Sequence, residues 1–173
     1  QELLKASGYD GTPIVILKPT DLASIQKLPD VAAQLLRQAG FKVDLQAMDW
    51  QTLVGRRAKK DAPDKGGWHM FLTAWQAFDV WNPIGNPAMD SRGEKSTWFG
   101  WATDDKLVTL RNEFMRATDE GAKKKLADQI HARAFEIGTH APLGEFESPM
   151  AARKNITGFF VTNSNIYWNL KKN

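Results

Sequence analysis

Three strand patterns separated by helical patterns constrain the fold of this chain more than any other feature of its sequence. The strand patterns cover 12–17, 41–47 and 68–73, and each is rich in apolar or β-branched residues. Apolar residues recur at helical spacing in the two intervening stretches, 22–36 and 49–60. Because parallel strands are joined by long crossovers that are usually helices, this alternation predicts parallel βαβ units. The predicted fold class is therefore α/β, with a mainly parallel sheet flanked by helices.

The composition is that of an ordinary globular domain and excludes several functional classes. The chain has 173 residues, of which 42% are hydrophobic and 25% are charged, so it is long enough to bury a core. The net charge of +3 comes with no basic stripe, which argues against a nucleic-acid partner. The absence of cysteine excludes disulfides and thiolate metal sites, and no apolar run approaches the roughly 18 residues of a membrane span.

The segment that follows the third strand pattern holds the candidate binding site. Periodicity is lost there, and three large aromatic residues surround one acidic residue in the sequence. Open α/β sheets bind ligands beyond the carboxyl ends of their strands, so this position favours a ligand surface. The candidate ligand-binding residues are Trp75, Gln76, Phe78, Asp79 and Trp81. The alternative is that the aromatic rings cover an edge of the core and that the acidic residue belongs to a turn.

The sequence offers little for catalysis. His69, His131 and His140 lack the spacing of a zinc-binding helix, and no nucleotide-binding or G-x-S-x-G motif is present. Glu145 and Glu147 would point the same way in a strand and would support glycoside hydrolysis, although a solvated strand face is the usual explanation of such a pair. We therefore expect no catalytic residues, no metal site, no cofactor and no enzymatic activity.

A second set of aromatic residues leaves a carbohydrate-binding module open as an alternative. Trp98 and Trp101, together with the tryptophans at 75 and 81, would offer rings on which sugars stack. At least four helical patterns argue against this alternative, because such modules tend to be β-sandwiches. The purely structural interpretation of 98–101 is an aromatic cap on the core. The polar stretch 90–95 is expected to be a flexible surface loop.

Several stretches of the chain, taken together, resemble one protein family. Their order and spacing are similar to those of bacterial extracellular solute-binding proteins of the peptide/nickel/opine class, solute-binding protein family 5. The similarity extends over nearly the whole chain, in the stretches QELLKASGYDG (1–11), AQLLRQAGFKVDL (33–45), MDW (48–50), DKGGW (64–68), WFGW (98–101), PLG (142–144) and RKNITG (153–158).

The resemblance implies a periplasmic-binding-protein type II fold, in which two α/β lobes close on a ligand for an ABC transporter. Residues 1–148 would form most of the C-terminal, ligand-binding lobe, and 149–173 would be a tail that returns to an N-terminal lobe. That lobe and a signal peptide are expected to lie outside this chain, and the protein would be periplasmic. Its function would be peptide transport across the membrane, or transport of a related amine-bearing solute.

The resemblance also implies partners and a role for one residue. The expected partners are a peptide or small-molecule ligand, the missing N-terminal lobe and ABC permease subunits, and the chain by itself is expected to self-associate. In peptide-binding members an acidic residue after the corresponding strand pairs with the α-ammonium group of the peptide. The nearest match is Asp79, with Phe78 inserted relative to the family pattern.

Overall fold

A three-stranded parallel sheet forms the centre of the first part of the chain. The computed structural model describes residues 2–96, 98–160, 162 and 166–173. It divides the chain into two compact units, Gln1–Ala74 and Trp75–Asn173. The first unit contains three strands and three helices, which are β1 (Ile14–Pro19), β2 (Val43–Met48), β3 (Met70–Phe71), α1 (Glu2–Ala6), α2 (Leu28–Ala39) and α3 (Trp50–Arg56).

The strand order is β2-β1-β3, and both pairings are parallel. Ile16 of the central strand lies opposite Leu45 on one side and Met70 on the other. This confirms the predicted strand–helix–strand–helix–strand unit, although β3 is shorter than the pattern 68–73 suggests. Helix α2 also begins later than predicted, at Leu28, with Pro29 in its first turn, where a missing backbone N–H costs nothing.

The two faces of this sheet carry different helices. Successive residues of a strand point to opposite faces, so Val15 and Leu17 pack on one side with Leu53 of α3. Ile16 packs on the other side with Ala33 of α2. The side chains of Ile16 and Ala33 are both fully buried. Helices therefore cover both faces, as the predicted α/β class requires.

The second unit is built mainly from helices. Its elements are α4 (Ala77–Val80), α5 (Asp105–Arg116), α6 (Glu120–Ile137), β4 (Ile156–Thr157) and β5 (Lys171–Lys172), with short 3-10 turns at Pro87–Met89 and Gly93–Lys95. Asp104 caps α5 and Asp119 caps α6, each by accepting a backbone N–H three positions later. Leu107 and Ile130 are fully buried where α5 packs on α6.

The end of the chain differs from the sequence expectation. Residues 141–150 form no helix or strand and are exposed throughout. The sequence patterns of 156–161 and 166–170 predict two terminal strands with a turn at 163–164 between them, but the antiparallel pair of the structure joins only Ile156–Thr157 to Lys171–Lys172. The turn expected at 163–164 lies outside the described residues. Among the helices of the described ranges, none is both long and apolar enough to cross a bilayer.

Candidate functional site

All five predicted ligand-binding residues lie on a single exposed turn and its flanks at the start of the second unit. Helix α4 is one turn long, and its N-cap residue Gln76 makes no side-chain capping bond. Trp75 is 43% exposed, Phe78 is 62% exposed and Trp81 is 75% exposed. Exposure of this size is unusual for three large aromatic side chains in seven consecutive residues. Their expected place at the carboxyl edge of the sheet stays a prediction.

The aromatic rings of this segment form two contacts. Phe78 and Trp81 are stacked, with ring centroids 5.8 Å apart and an interplanar angle of 27°. The spacing i, i+3 brings them together on one side of the turn. Trp75 instead packs against Trp98, with centroids 4.9 Å apart. The segment therefore presents one stacked pair and one ring that joins a second aromatic stretch.

Asp79 is exposed and lies within the same turn. Its backbone N–H donates to the carbonyl oxygen of Gln76, but within the described ranges its carboxylate has no hydrogen-bond or ion-pair partner. It therefore lies in a turn, as the alternative to a binding role also expects, but it is not buried there. A free carboxylate close in sequence to exposed rings has the chemistry needed to attract a cation.

The loop after this segment is closed by hydrogen bonds. The Asn82 side-chain oxygen accepts from the backbone N–H groups of Ile84 and Gly85, each at 2.9 Å. Gly85 approaches the segment so closely that an added Cβ would lie 2.6 Å from the carbonyl oxygen of Asp79. The turn that carries the acidic residue is thus shaped by a glycine six positions later.

Arg111 of α5 also holds this loop. Its Nε and Nη2 atoms donate to the carbonyl oxygens of Pro83 and Ile84, each at 3.2 Å. Its Nη1 lies 3.5 Å from an oxygen of Asp90. Burial lowers the pKa of the Arg111 guanidinium below its ordinary value. Sequence reasoning missed this residue, because nothing local marks one arginine of a helix as the partner of a distant loop.

The stretch 90–95, expected to be a flexible surface loop, is partly buried. Asp90 is only 5% exposed, and both of its oxygens accept from Arg92 at 2.7 Å. Ser91 is fully buried, and Gly93 is buried at the start of a 3-10 turn. The expectation was wrong because a run of polar residues does not reveal that its charges pair with each other.

The second aromatic stretch, 98–101, continues the chain of rings. The ring centroids of Trp98 and Phe99 are 5.1 Å apart. The ring of Phe99 contacts that of Trp101 edge to face, with centroids 6.4 Å apart. The three rings are half-buried rather than buried. They are therefore an incomplete cap on a core, and they continue from the ring of Trp75.

The residues considered for catalysis are not arranged as a site. Glu145 and Glu147 lie in the exposed stretch without regular structure, so they share no strand face and the hydrolase alternative loses its geometric basis. In the part of the chain that the structure describes, no three histidine, aspartate or glutamate side chains gather as metal ligands would.

Comparisons with known proteins agree with the fold and identify a class of relatives. No protein-family model matches the chain. The chain is 33% identical over 172 residues to a probable peptide ABC transporter periplasmic-binding protein of Sinorhizobium fredii, covering 99% of this chain and 32% of that protein. The chain thus spans about a third of the length of the curated relative it matches.

Two solved structures share the fold. One, described as a nickel ABC transporter from Bacillus halodurans, matches with a TM-score of 0.55 at 18% identity, covering 81% of this chain and 30% of that one. The other is the oligopeptide-binding protein AppA from Bacillus subtilis in complex with a nonapeptide, with a TM-score of 0.53 at 15% identity, covering 79% of this chain and 29% of that one.

These findings agree with three of the expectations from the sequence. The fold is that of part of a periplasmic binding protein, and the resemblance to solute-binding proteins of the peptide/nickel class is confirmed. The extent of the match is consistent with a C-terminal lobe fragment. The similar proteins are binding proteins of ABC transporters, not enzymes, in agreement with the expected non-enzymatic role.

Proposed function

We propose that this chain is the ligand-binding lobe of the solute receptor of an ABC importer, and that its ligand is a peptide or a related amine-bearing solute. The observation that carries the proposal is the Asp79 carboxylate, which is exposed and has no partner among the described residues. A carboxylate in that state has its full capacity to accept hydrogen bonds from an ammonium group.

The aromatic residues complete the proposed site. The exposed stacked pair of Phe78 and Trp81, and the partly exposed ring of Trp75, offer apolar faces to the remainder of the ligand. Gln76 is also exposed, and its side chain supplies both a donor and an acceptor. Together these groups suit a solute with a charged amine at one end and apolar or planar groups beyond it.

The proposed mechanism is closure of two lobes around the solute. In the open protein the carboxylate is exposed to water, and its attraction to an amine is weak. A second lobe that closed over the site would exclude water and strengthen the ion pair. The solute would then favour the closed state by its higher affinity for that state.

The longer protein would work in the periplasm and deliver its solute to ABC permease subunits. In this proposal residues 1–148 form the ligand-binding lobe, and 149–173 return to an N-terminal lobe. Several large apolar side chains after position 141 are exposed, including Leu143, Phe146 and Trp168. Such surfaces associate with one another or with another domain, so without the second lobe the chain would self-associate.

Calorimetry on the longer two-lobe protein tests the proposed anchor. The probes are the tripeptide Ala-Phe-Ala with a free amino terminus and the same tripeptide with an acetylated one. Asp79→Asn should weaken binding of the free tripeptide at least tenfold, about 1.4 kcal/mol, because the ammonium loses its counter-charge. The acetylated tripeptide should bind the wild type and the variant equally, since it has no ammonium to pair.

A matched control is Asp128→Asn, which removes another exposed carboxylate, from α6. It should leave the affinity for both tripeptides unchanged. If Asp79→Asn also leaves it unchanged, the anchor role is wrong. The carbohydrate-binding alternative is favoured if the protein binds a linear oligosaccharide instead, and if Trp81→Ala weakens that binding while Asp79→Asn leaves it unchanged. Native mass spectrometry of protein purified from its host would identify the natural solute.

A further inference from the structure

We propose that the loop 98–102 is a second ligand-contacting element, and that Trp98, Phe99 and Trp101 form a subsite for an aromatic or planar group of the solute. The inference rests on the proposed function of the segment 75–81. It adds a preference for solutes with an aromatic or planar group, which that segment alone does not explain. Four observations carry it.

The first observation is continuity between the two aromatic stretches. Trp75 belongs to the candidate site, and its ring lies 4.9 Å from that of Trp98 at an angle of 54°. From there the contacts run on to Phe99 and then to Trp101. A group that reaches the ring of Trp75 is therefore also within reach of the next ring in the chain of contacts.

The second observation is that hydrogen bonds close the base of the loop. Across the base, the backbone N–H of Gly93 donates to the carbonyl oxygen of Ala102 at 2.8 Å. A further bond joins the N–H of Asp104 to the carbonyl oxygen of Ser91 at 3.0 Å. At the start of the loop, the N–H of Trp98 donates to the hydroxyl oxygen of Ser96 at 3.1 Å. A loop closed in this way presents its rings in a set orientation, which lowers the entropy lost on binding.

The third observation is backbone strain at the end of the loop. Trp101 has a φ of 45°, and it follows Gly100, whose φ is 96°. Glycine adopts positive φ freely, but for a bulky residue such as tryptophan it is a strained conformation that costs of order 1–3 kcal/mol. Strain of this kind persists where the surrounding structure imposes it, and it concentrates at ligand-contacting sites.

The fourth observation is incomplete burial. The rings at 98, 99 and 101 are half-buried, whereas the core residues Leu107 and Ile130 of the same unit are fully buried. A loop whose only role was to complete the core would bury its rings. Aromatic rings prefer tilted and edge-to-face contacts. A planar group of the solute would contact the exposed parts of these rings in the same arrangements.

The chemical class of the solute follows from these contacts. Next to an ammonium anchored at Asp79, the subsite would take an aromatic side chain in preference to a methyl group. The preference would be worth at least about threefold in affinity, as expected for one added ring contact. In peptide terms, the protein would prefer Ala-Phe-Ala to Ala-Ala-Ala.

The test compares these two tripeptides by calorimetry on the longer two-lobe protein. Trp98→Leu keeps an apolar side chain but removes the ring, and the control Phe135→Leu removes an exposed ring from α6. The wild type and the control should prefer Ala-Phe-Ala at least about threefold, and Trp98→Leu should lose most of that preference. Its affinity for Ala-Ala-Ala should fall less than its affinity for Ala-Phe-Ala, because Asp79 still holds the ammonium and a methyl group gains little from the ring.

A second variant separates ligand contact from structural support. Trp101→Gly removes a ring at a position where glycine relieves the positive φ, so the loop backbone keeps its conformation. We expect the preference for Ala-Phe-Ala to fall while the unfolding temperature changes little, because relief of the strain offsets the lost ring contact. If both variants keep the full preference, the subsite is wrong while the anchor at Asp79 stands. If the wild type binds neither tripeptide, the proposed peptide-binding function and this inference both fail.

Discussion

Arg111 donates a hydrogen bond from Nε to the carbonyl oxygen of Pro83, 28 positions earlier in the chain, at 3.2 Å. The same guanidinium reaches the carbonyl oxygen of Ile84 and the carboxylate of Asp90. One side chain of α5 therefore holds the loop that directly follows the candidate binding segment.

Replacing Arg111 with alanine should destabilise the chain by about 2–4 kcal/mol, because two carbonyl oxygens lose a donor and a buried carboxylate loses a cation beside it. Arg111→Lys should cost less, since it keeps the charge but not the planar fork of donors. Urea denaturation measures both. Arg116→Ala, at the exposed end of the same helix, is the control and should cost under about 0.5 kcal/mol. Equal effects of Arg111→Ala and Arg116→Ala would contradict the role of the buried guanidinium.

Gly85→Ala should disturb the turn that carries Asp79. Its new Cβ would lie 2.6 Å from the carbonyl oxygen of Asp79, so the backbone must shift. We expect a loss of about 1–3 kcal/mol in the free energy of unfolding. Gly55→Ala is the control, because its Cβ would meet nothing within 4 Å and it lies in α3, where alanine is the better helix former. Thermal melts that rank the two variants in the opposite order would contradict the close approach.

Asp104 should make stability fall at acidic pH. It hydrogen bonds to Arg133, which is the largest cause of a pKa held below its ordinary value. A carboxyl group whose pKa is lower in the folded state stabilises it fully above the unfolded value of about 4, and this contribution is lost as pH falls through the folded value. Arg133→Gln should therefore be less stable than the wild type at pH 7, and the difference should shrink by pH 3. Denaturation curves at several pH values measure it, and a difference independent of pH would contradict the ion pair.

The exposed apolar residues of the final part of the chain predict self-association of this chain by itself. Phe146, Met150, Tyr167 and Trp168 are each at least 57% exposed. Sedimentation equilibrium should show a mass that rises with concentration, because apolar surface of this extent associates in water. Replacing Phe146 and Trp168 by serine should lower the association without lowering the unfolding temperature. A strict monomer at high concentration would contradict this prediction.

Much of the fold was predictable because its determinants are local. Hydrophobic periods of 2 and 3.6 residues distinguish strands from helices. Three helices are capped by an aspartate whose side chain accepts a hydrogen bond from the backbone N–H three residues later, at Asp49, Asp104 and Asp119. The candidate site was predictable as a segment, because aromatic residues without periodicity stand out in a sequence. The pairing of β5 was not, since two lysines carry no strand pattern.

The sequence by itself determined the α/β class, the parallel order implied by helical crossovers, and the segment 75–81 with its acidic residue. The tertiary structure alone decided that Trp75 contacts Trp98, that Asp90 is buried beside Arg111, and that Arg111 closes the loop after Trp81. The physical reason is separation along the chain. Local patterns fix which backbone conformation is favourable, whereas contacts between residues more than about 20 positions apart depend on how completed elements pack.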